Sequence, residues 1–223
     1  MTGKAIAGLL LQTAIAFTVL FAGWGFDDLS SFFVHPARAG FVAVALASLV
    51  WIMALRLELT PFRPGVRPVG WQRAGLVLLF LTAVSLVFFL SYADRHSILT
   101  FSEFDFVRYI GLAFYAGGNA VSIVALRALG KQYSGYVTLQ EDHQLVDTGI
   151  YATIRHPIYL RILLVTAGLP LIFRSWLFLP AFILGALFVR YRIAREEKLL
   201  AEVFDERYYS YAARTRRLIP YLY

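Results

Sequence analysis

The polar residues that could do chemistry form two clusters in the last third of this 223-residue chain. The first is Arg155-His156-Pro157-Ile158-Tyr159, and the second is Arg192-Ile193-Ala194-Arg195-Glu196-Glu197. Both stand where apolar segments begin or end, and polar groups beside a bilayer are costly unless they are paired or used. We therefore expect the two clusters to meet at one membrane face and to build a cofactor site there.

The spacing of Arg192 and Glu196 puts both residues on one face of a continuing helix, because they are four positions apart. Two interpretations remain open for this pair. It is either a salt bridge at a helix end, or a site in which Glu196 faces a cationic ligand and Arg192 an anionic one. Arg195 and Glu197 point elsewhere and are predicted to be solvated.

His156 stands at a predicted helix start, directly before Pro157. A histidine in this position serves either as a hydrogen-bonding group or as part of a binding site. The polar tips of Arg155 and Tyr159 on either side favour a binding site.

Other motifs of chemistry are missing from the sequence. It contains no glycine-rich nucleotide loop and no His-Glu-x-x-His zinc motif. It contains no cysteine, which excludes disulfides and thiolate metal sites, and we expect no metal. Asn119 is an amide deep in an apolar run, and Gly117-Gly118 before it favours close helix packing.

The elements that must position these residues are membrane helices. The chain is 59% hydrophobic and 16% charged, whereas a soluble domain carries about 25% charged residues. Four uncharged runs approach the roughly 17–25 residues that a spanning helix needs: Ala5–Phe26, Ala39–Leu55, Ala74–Tyr92 and Tyr109–Leu126. We interpret the first run as a span and not as a signal peptide.

Two shorter runs, Ile162–Phe173 and Ser175–Val189, predict a tight helical hairpin that turns at Arg174-Ser175. The predicted fold is therefore all-α: a polytopic integral membrane protein of about six transmembrane helices, counting this C-terminal hairpin. A cofactor-binding connector and a C-terminal helix complete it on the cytoplasmic side.

Local signals predict where the later helices begin and end. Pro157 suits the first turn of a helix, and Pro170 should bend or end that helix. The segment Glu196 to Tyr211 predicts a partly amphipathic helix that lies on the membrane surface and covers the site. Residues 1–108 hold transmembrane helices with little polar chemistry, and residues 109–223 hold the predicted catalytic core, whose connector is Lys131–Thr153.

The basic residues predict the orientation of the chain. Its formal net charge is +7, and the surplus lies in the tail from Arg190 onward and in the second loop, at Arg56, Arg63, Arg67 and Arg73. The positive-inside rule makes these segments cytoplasmic, so the predicted active site faces the cytoplasm. Topology explains the surplus, and we expect no nucleic-acid partner.

The segment from His143 to Pro220 resembles the isoprenylcysteine carboxyl methyltransferases and their prokaryotic integral-membrane relatives. The shared motifs are His143-Gln144-Leu145-Val146, Gly149-Ile150-Tyr151, Arg155-His156-Pro157-Ile158-Tyr159, Arg192 with Glu196-Glu197, then Leu200, Phe204, Tyr208, Tyr211 and Arg217-Leu218-Ile219-Pro220. Their order and spacing all fit, and the combination is more specific than any one motif.

The resemblance implies that S-adenosylmethionine binds between the connector and the last two helices and is reached from the cytosol. It implies one set of cofactor-binding residues, which are His143, Gln144, Leu145, Val146, Tyr151, His156, Pro157, Ile158, Tyr159 and Glu196. Arg192 is then the catalytic residue, and it binds the substrate carboxylate. Two positions depart from the family. Family members usually have a glycine two places after the motif tyrosine, where this chain has Leu160-Arg161. Tyr136 stands where the prenylcysteine enzymes have a cofactor-binding glutamine. Arg161 could close the lipid-side entrance or serve a different acceptor head group.

These features predict an integral membrane methyltransferase that uses S-adenosylmethionine on a lipophilic or prenylated acceptor among membrane lipids. Its expected reaction is carboxyl O-methylation of an isoprenylcysteine-like substrate, in which the ionised carboxylate needs no general base. Three alternatives stay open. They are an NADPH-dependent sterol or isoprenoid reductase of similar architecture, a methyltransferase for a phospholipid amine or small thiol with His156 or Glu197 as base, and a membrane protein that keeps the fold without the chemistry.

Overall fold

The computed structural model describes residues 3–55, 70–101, 104–133 and 144–219. The described residues form seven α-helices: α1 (Gly3–Trp24), α2 (Leu29–Val34), α3 (Pro36–Ala54), α4 (Gly70–Arg95), α5 (Val107–Leu129), α6 (Pro157–Ile172) and α7 (Phe178–Arg214). Short 3-10 turns lie at Phe26–Asp28, Gly130–Gln132 and Gly149–Ala152. The prediction of an all-α chain is confirmed. Predictions made for His143, Tyr136, Arg56, Arg63 and Arg67 fall outside the described residues.

Among the described residues, three helices are long and apolar enough to cross a membrane, with mean hydropathies of 2.0, 1.9 and 1.5: Ile6–Trp24 in α1, Pro36–Ala54 in α3 and Val107–Leu129 in α5. The apolar helix α6 is shorter, with 16 residues. The chain is a multi-pass membrane protein, and the total of six spans stays a prediction.

The C-terminal hairpin differs from its predicted bounds at both ends of the turn. α6 begins at Pro157, as predicted, but it continues through Pro170 and ends two residues later at Ile172. The next residues do not enter a helix at once, because the Trp176 N–H donates 2.9 Å to the Leu99 carbonyl in the segment after α4. The predicted separate C-terminal helix is instead the continuation of α7, which bends at Asp205, where φ is 40° and ψ is −123°.

Helices α5 and α6 touch backbone to backbone. A Cβ placed on Gly111 would lie 2.6 Å from the Gly168 carbonyl oxygen, and one on Gly168 would lie 2.7 Å from that of Gly111. Nearer the other end, a Cβ on Gly118 would lie 3.2 Å from the Cβ of Leu164. The prediction of close packing near Gly118 is confirmed, and small residues let the two helices approach in this way. The contact holds the start of α6 beside the end of α5.

An apolar core lies where α1 to α4 meet the end of α6. It consists of buried side chains no more than 6% exposed: Leu20, Trp24, Phe32, Phe41, Leu90, Ile172 and Phe173. The core takes residues from both sides of position 108, and the division of the chain there stays a prediction about function.

A buried carboxylate joins four of the helical segments. The side chain of Asp94, at the end of α4, has no exposed surface. Arg108 of α5 donates to its two oxygens at 2.7 and 2.8 Å, and Arg38 of α3 donates at 2.9 Å. Arg174, in the turn between α6 and α7, lies at 3.4 Å. Because a buried charge is tolerated only when paired, this cluster fixes how the four segments meet.

Asp94→Asn should lower the free energy of unfolding by about 3–5 kcal/mol, because it keeps the volume but leaves buried arginines without their carboxylate. Thermal unfolding in detergent measures the change, which we expect to be roughly 10 °C in Tm. The matched control is Asp27→Asn, which breaks a pair with Arg95 in which the aspartate side chain is 72% exposed. Equal Tm values for the two variants would show that the Asp94 cluster contributes little.

Candidate active site

The two polar clusters of the sequence meet at one phenol. Tyr159, in the first turn of α6, donates its hydroxyl hydrogen to Glu196 Oε2 at 2.7 Å. Arg192 Nε donates to the same hydroxyl oxygen at 3.2 Å, and His156 Nδ1 lies 3.9 Å from Glu196 Oε1. Arg192 and Glu196 do share a face of α7, but these two described residues form no direct ion pair, since Tyr159 stands between them.

The start of α6 positions Tyr159 and His156. Pro157 is the first helical residue, and His156 is the N-cap, whose carbonyl accepts from the Tyr159 N–H at 3.0 Å. The ring of Tyr159 is buried against Val189 and Ile193 of α7. His156 is 3% exposed, so both of its nitrogens face protein groups.

Glu197 lies at the centre of a charged group that we call the Glu197 cluster: Glu197, Arg155, His156 and Arg217. Its Oε1 is 3.3 Å from Arg155 Nη2 and 3.3 Å from His156 Nε2, and its Oε2 is 2.8 Å from Arg217 Nη2. Burial alone would raise the pKa of the Glu197 carboxyl, but the hydrogen bonds and charges of His156 and Arg217 outweigh burial and hold the pKa well below its usual range. The prediction that Glu197 is solvated is therefore wrong.

Arg195 is exposed, as predicted, and its guanidinium lies 5.4 Å from the centre of the Tyr191 ring. It takes no part in the Glu197 cluster. Arg195 is thus a solvated cation, whereas Glu197, two residues later on the same helix, has a carboxylate that binds three partners.

The segment after α7 returns to the start of α6 and covers the Glu197 cluster. Residues 153–156 and 216–217 are joined by three backbone hydrogen bonds of 2.7, 3.0 and 3.0 Å. The Arg155 guanidinium also donates to the carbonyls of Ala212 and Thr215 at 2.8 and 2.6 Å. Arg155 therefore holds the segment after α7 in place, and its guanidinium does not line the binding site.

The connector approaches the same region through aromatic residues. Leu145 packs in a buried cluster with Tyr208 and Tyr211 of α7, and the Tyr211 hydroxyl donates to the Tyr151 carbonyl at 2.9 Å. Burial and the negative charge of Glu196 raise the pKa of the Tyr151 phenol well above its usual range.

The remaining predicted cofactor residues are joined less directly. Gln144 is exposed, and Val146 and Ile158 are half-buried. None of the three has a polar contact with Tyr159 or Glu196 within the part of the chain that the structure describes.

Two features leave the site able to bind a ligand. The Glu196 side chain is 36% exposed, so part of its carboxylate remains accessible. The Tyr208 hydroxyl is buried and makes no hydrogen bond to a described residue, and burial and the negative charge of Glu197 raise the pKa of its phenol. The described residues contain no group of three or more His, Cys, Asp or Glu side chains that could hold a metal ion. An accessible carboxylate beside aromatic walls and an unpaired hydroxyl suits an organic cation that also carries polar groups.

The fold of this chain matches that of a solved structure. The match is to a eukaryotic intramembrane Ras methyltransferase, an isoprenylcysteine carboxyl methyltransferase, with a TM-score of 0.59 and 22% sequence identity. It covers 94% of this chain and 75% of that one. The chain therefore shares the fold of that structure.

Part of the sequence is similar to a known family. Residues 111–202 match the sequence model of the isoprenylcysteine carboxyl methyltransferase (ICMT) family. The chain is similar to that family over this segment.

Individual relatives match about half of the chain. The protein-S-isoprenylcysteine O-methyltransferase of Tribolium castaneum is 29% identical over 123 residues, which are 54% of this chain and 44% of that protein. The corresponding protein of Saccharomyces cerevisiae is 33% identical over 108 residues, 47% of this chain and 45% of that protein. The match thus spans about half the length of these two relatives.

Glu197→Gln should loosen the segment that follows α7, because the amide cannot balance the charges of Arg155 and Arg217. Limited trypsin digestion of the detergent-solubilised protein, read by mass spectrometry, should show faster cleavage after Arg214–Arg217 than in the wild type. Glu206→Gln is the control, since Glu206 is exposed on the same helix.

The lowered pKa of Glu197 predicts how the protection of this segment from trypsin depends on pH. A carboxylate with a lowered pKa stabilises the fold above its unfolded-state pKa of about 4.3, and the contribution is lost as the pH falls toward the folded-state value. Protection of the segment should therefore be unchanged between pH 7 and 5 in the wild type. Equal cleavage of wild type and Glu197→Gln at pH 7 would contradict this role.

Proposed function

We propose that this protein is an integral membrane methyltransferase that uses S-adenosylmethionine to methylate the carboxylate of a lipophilic, isoprenylcysteine-like acceptor. The observation that carries the proposal is the Tyr159 hydroxyl between Glu196 at 2.7 Å and Arg192 at 3.2 Å. One phenol thus separates a carboxylate suited to a cationic donor from a guanidinium suited to an anionic acceptor. The names of the relatives support the same acceptor class.

The residues at the site fit S-adenosylmethionine. Its sulfonium and ammonium groups need negative charge, which the accessible carboxylate of Glu196 supplies. Its adenine and ribose need an apolar wall and hydroxyl partners, for which Leu145, Tyr151 and the unpaired hydroxyl of Tyr208 are suited. His143 of the expected cofactor set lies outside the described residues, and Gln144, Val146, His156, Pro157 and Ile158 complete that set as proposed contacts.

S-adenosylmethionine would supply an electrophilic methyl group, and the protein's part is to align the acceptor with it. The acceptor carboxylate oxygen forms the new bond to carbon, the carbon–sulfur bond breaks, and its electron pair stays on sulfur. The negative charge of the carboxylate and the positive charge of the sulfonium cancel, and no proton is transferred. Arg192 orients the acceptor carboxylate through two parallel hydrogen bonds. Such alignment lowers the activation free energy by several kcal/mol.

The Glu197 cluster argues against an amine or thiol acceptor. Those acceptors must lose a proton, and Glu197 is poorly suited to take it because its carboxylate is bound by Arg155, His156 and Arg217 and its pKa is lowered. His156, the other proposed base, is 3% exposed with its ring nitrogens facing carboxylates. A carboxylate acceptor needs no base and suits the site better.

A reductase that binds NADPH is less favoured for an electrostatic reason. The accessible carboxylate of Glu196 attracts a sulfonium and repels a cofactor that carries three phosphate groups. The charge of the site therefore favours S-adenosylmethionine.

The distribution of charge supports a cytoplasmic orientation of the site. Exposed basic residues lie around the site end of the bundle: Arg127, Arg195, Lys198 and Arg207. The opposite end carries the acidic residues Asp27, Asp28 and Asp105, of which Asp27 and Asp105 are exposed. The positive-inside rule then favours a site that opens to the cytosol, with the acceptor entering from the bilayer.

Glu196→Ala should weaken S-adenosylmethionine binding at least about tenfold, the loss expected for one charge-assisted contact, while the protein stays folded in detergent. Arg192→Ala should keep cofactor binding and lower turnover roughly a hundredfold or more, because the acceptor is no longer aligned. Calorimetry measures binding of S-adenosylmethionine and of NADPH, and transfer of a labelled methyl group to farnesylcysteine measures turnover.

Arg195→Ala is the matched control, since it removes an exposed cation from the same turn of α7 and should change neither quantity. Binding of NADPH without S-adenosylmethionine would overturn the proposed function. Loss of cofactor binding in Arg192→Ala, with acceptor binding retained, would reverse the roles assigned to Arg192 and Glu196.

A further inference from the structure

One face of α7 changes from apolar to basic along the helix. Leu184 and Leu187 are 66% and 59% exposed, and the exposed Tyr191 comes one turn later. Arg195 and Lys198 follow, and both are exposed as well. Because these residues are separated by three or four positions, all five lie on the same side of the helix. This side therefore carries an apolar part, an aromatic ring and two cations in that order.

The order of these side chains matches the layers of a membrane. Large apolar side chains that stay exposed in a multi-pass membrane protein suit contact with acyl chains. Tyrosine is enriched at the boundary between hydrocarbon and water, and basic side chains beside it attract anionic headgroups. The face therefore predicts that Tyr191 lies at the membrane boundary, with Leu184 and Leu187 on the acyl side.

The two cations lie at the depth of the headgroups. Arg195 is about 6 Å from Tyr191 along the helix axis, and the headgroup layer is roughly 5–7 Å thick on each side of a bilayer. Lys198 is about 10 Å from Tyr191 along the axis. Side chains of a helix lean toward its N-terminus, which favours a return of the lysine ammonium toward the same layer.

The protein does not balance these two charges within the part of the chain that the structure describes. The Arg195 guanidinium lies 5.4 Å from the centre of the Tyr191 ring, a neutral group that positions the cation without cancelling its charge. The neighbouring carboxylates of Glu196 and Glu197 bind Tyr159 and Arg217 instead. Since Arg195 and Lys198 are neighbours on one helix face, they repel each other, and a bound anion removes the repulsion.

We propose that Tyr191, Arg195 and Lys198 form a binding site for an anionic phospholipid in the leaflet on the active-site side of the membrane. The lipid phosphate lies between the two cations, and its acyl chains lie along Leu184 and Leu187. A free phosphate has no acyl chain to place on the apolar part of this face, so the whole lipid fits the face better.

The lipid site is separate from the proposed catalytic residues. Arg192 and Glu196 belong to the side of α7 that contacts Tyr159, whereas Tyr191, Arg195 and Lys198 are exposed on another side. The inference therefore does not depend on the proposed function. In lipid-free detergent the site has no ligand, so removal of Arg195 should leave cofactor binding and turnover unchanged there.

Native mass spectrometry of the whole protein, released from detergent with lipid added, tests the proposal. Phosphatidylglycerol has a net negative charge, and phosphatidylcholine with the same acyl chains has none. The wild type should bind phosphatidylglycerol at least about tenfold more tightly, because two cations attract its net charge. Inorganic phosphate at the same concentration should not displace the lipid.

The double variant Arg195→Gln, Lys198→Gln should bring the ratio of the two lipid affinities close to one. The exchange variant Arg195→Lys, Lys198→Arg keeps both charges and should keep most of the preference. The matched control is Arg207→Gln, Arg214→Gln, which removes two exposed cations from α7 after the bend at Asp205. This control should bind phosphatidylglycerol as the wild type does.

Four results would overturn the proposal. The first is equal affinity of the wild type for the two lipids, and the second is an unchanged preference in the double glutamine variant. The third is displacement of phosphatidylglycerol by an equal concentration of inorganic phosphate, which would indicate a site for free anions. The fourth is a dimer that the double variant dissociates, because a second copy of the chain would then cover this face.

Discussion

The site depends on one carboxylate, that of Glu197. It binds Arg155 and His156 at the start of α6 and Arg217 in the segment after α7, so three separate parts of the chain meet at two oxygen atoms. Without this contact, the positive charges of Arg155 and Arg217 would repel each other, and the N-cap of α6 would lose its fixed place. The position of Tyr159, one turn into that helix, follows from the same contact. Glu197 thus acts on the ligand-binding residues indirectly, by determining where α6 begins.

A second buried carboxylate performs the equivalent task at the other end of the bundle. Asp94 joins α3, α4, α5 and the turn before α7 through three arginines. Between the two charged groups, α5 and α6 touch through Gly111 and Gly168, so that neither helix can slide without a steric clash. The apolar middle of the bundle has little directional bonding of its own. Polar clusters at the two ends therefore determine its register, and an apolar surround strengthens each of them by lowering the local dielectric constant.

Much of the fold follows from the sequence, because apolar runs and proline positions act locally. Pro157 predicts the start of α6, and the i,i+4 spacing predicts that Arg192 and Glu196 share a face. Glu197 was not predictable in this way, because its partners come from residues 155–156 and 217 and its burial depends on the return of the chain after α7. The continuous helix from Phe178 to the bend at Asp205 was equally hidden, since the change from apolar to charged residues near Arg190 resembles a boundary. Tertiary contact decides both cases.

The phenol of Tyr159 explains how opposite charges can remain useful at such short range. Arg192 and Glu196, one turn apart, would neutralise each other in a direct salt bridge, and each would then bind a ligand only after breaking that bridge. The Tyr159 hydroxyl instead accepts from one and donates to the other, which holds both side chains in place while the carboxylate stays 36% exposed. A reaction that brings an anion to a cation needs both charges present and oriented before the substrates arrive. A neutral group between the two meets that requirement.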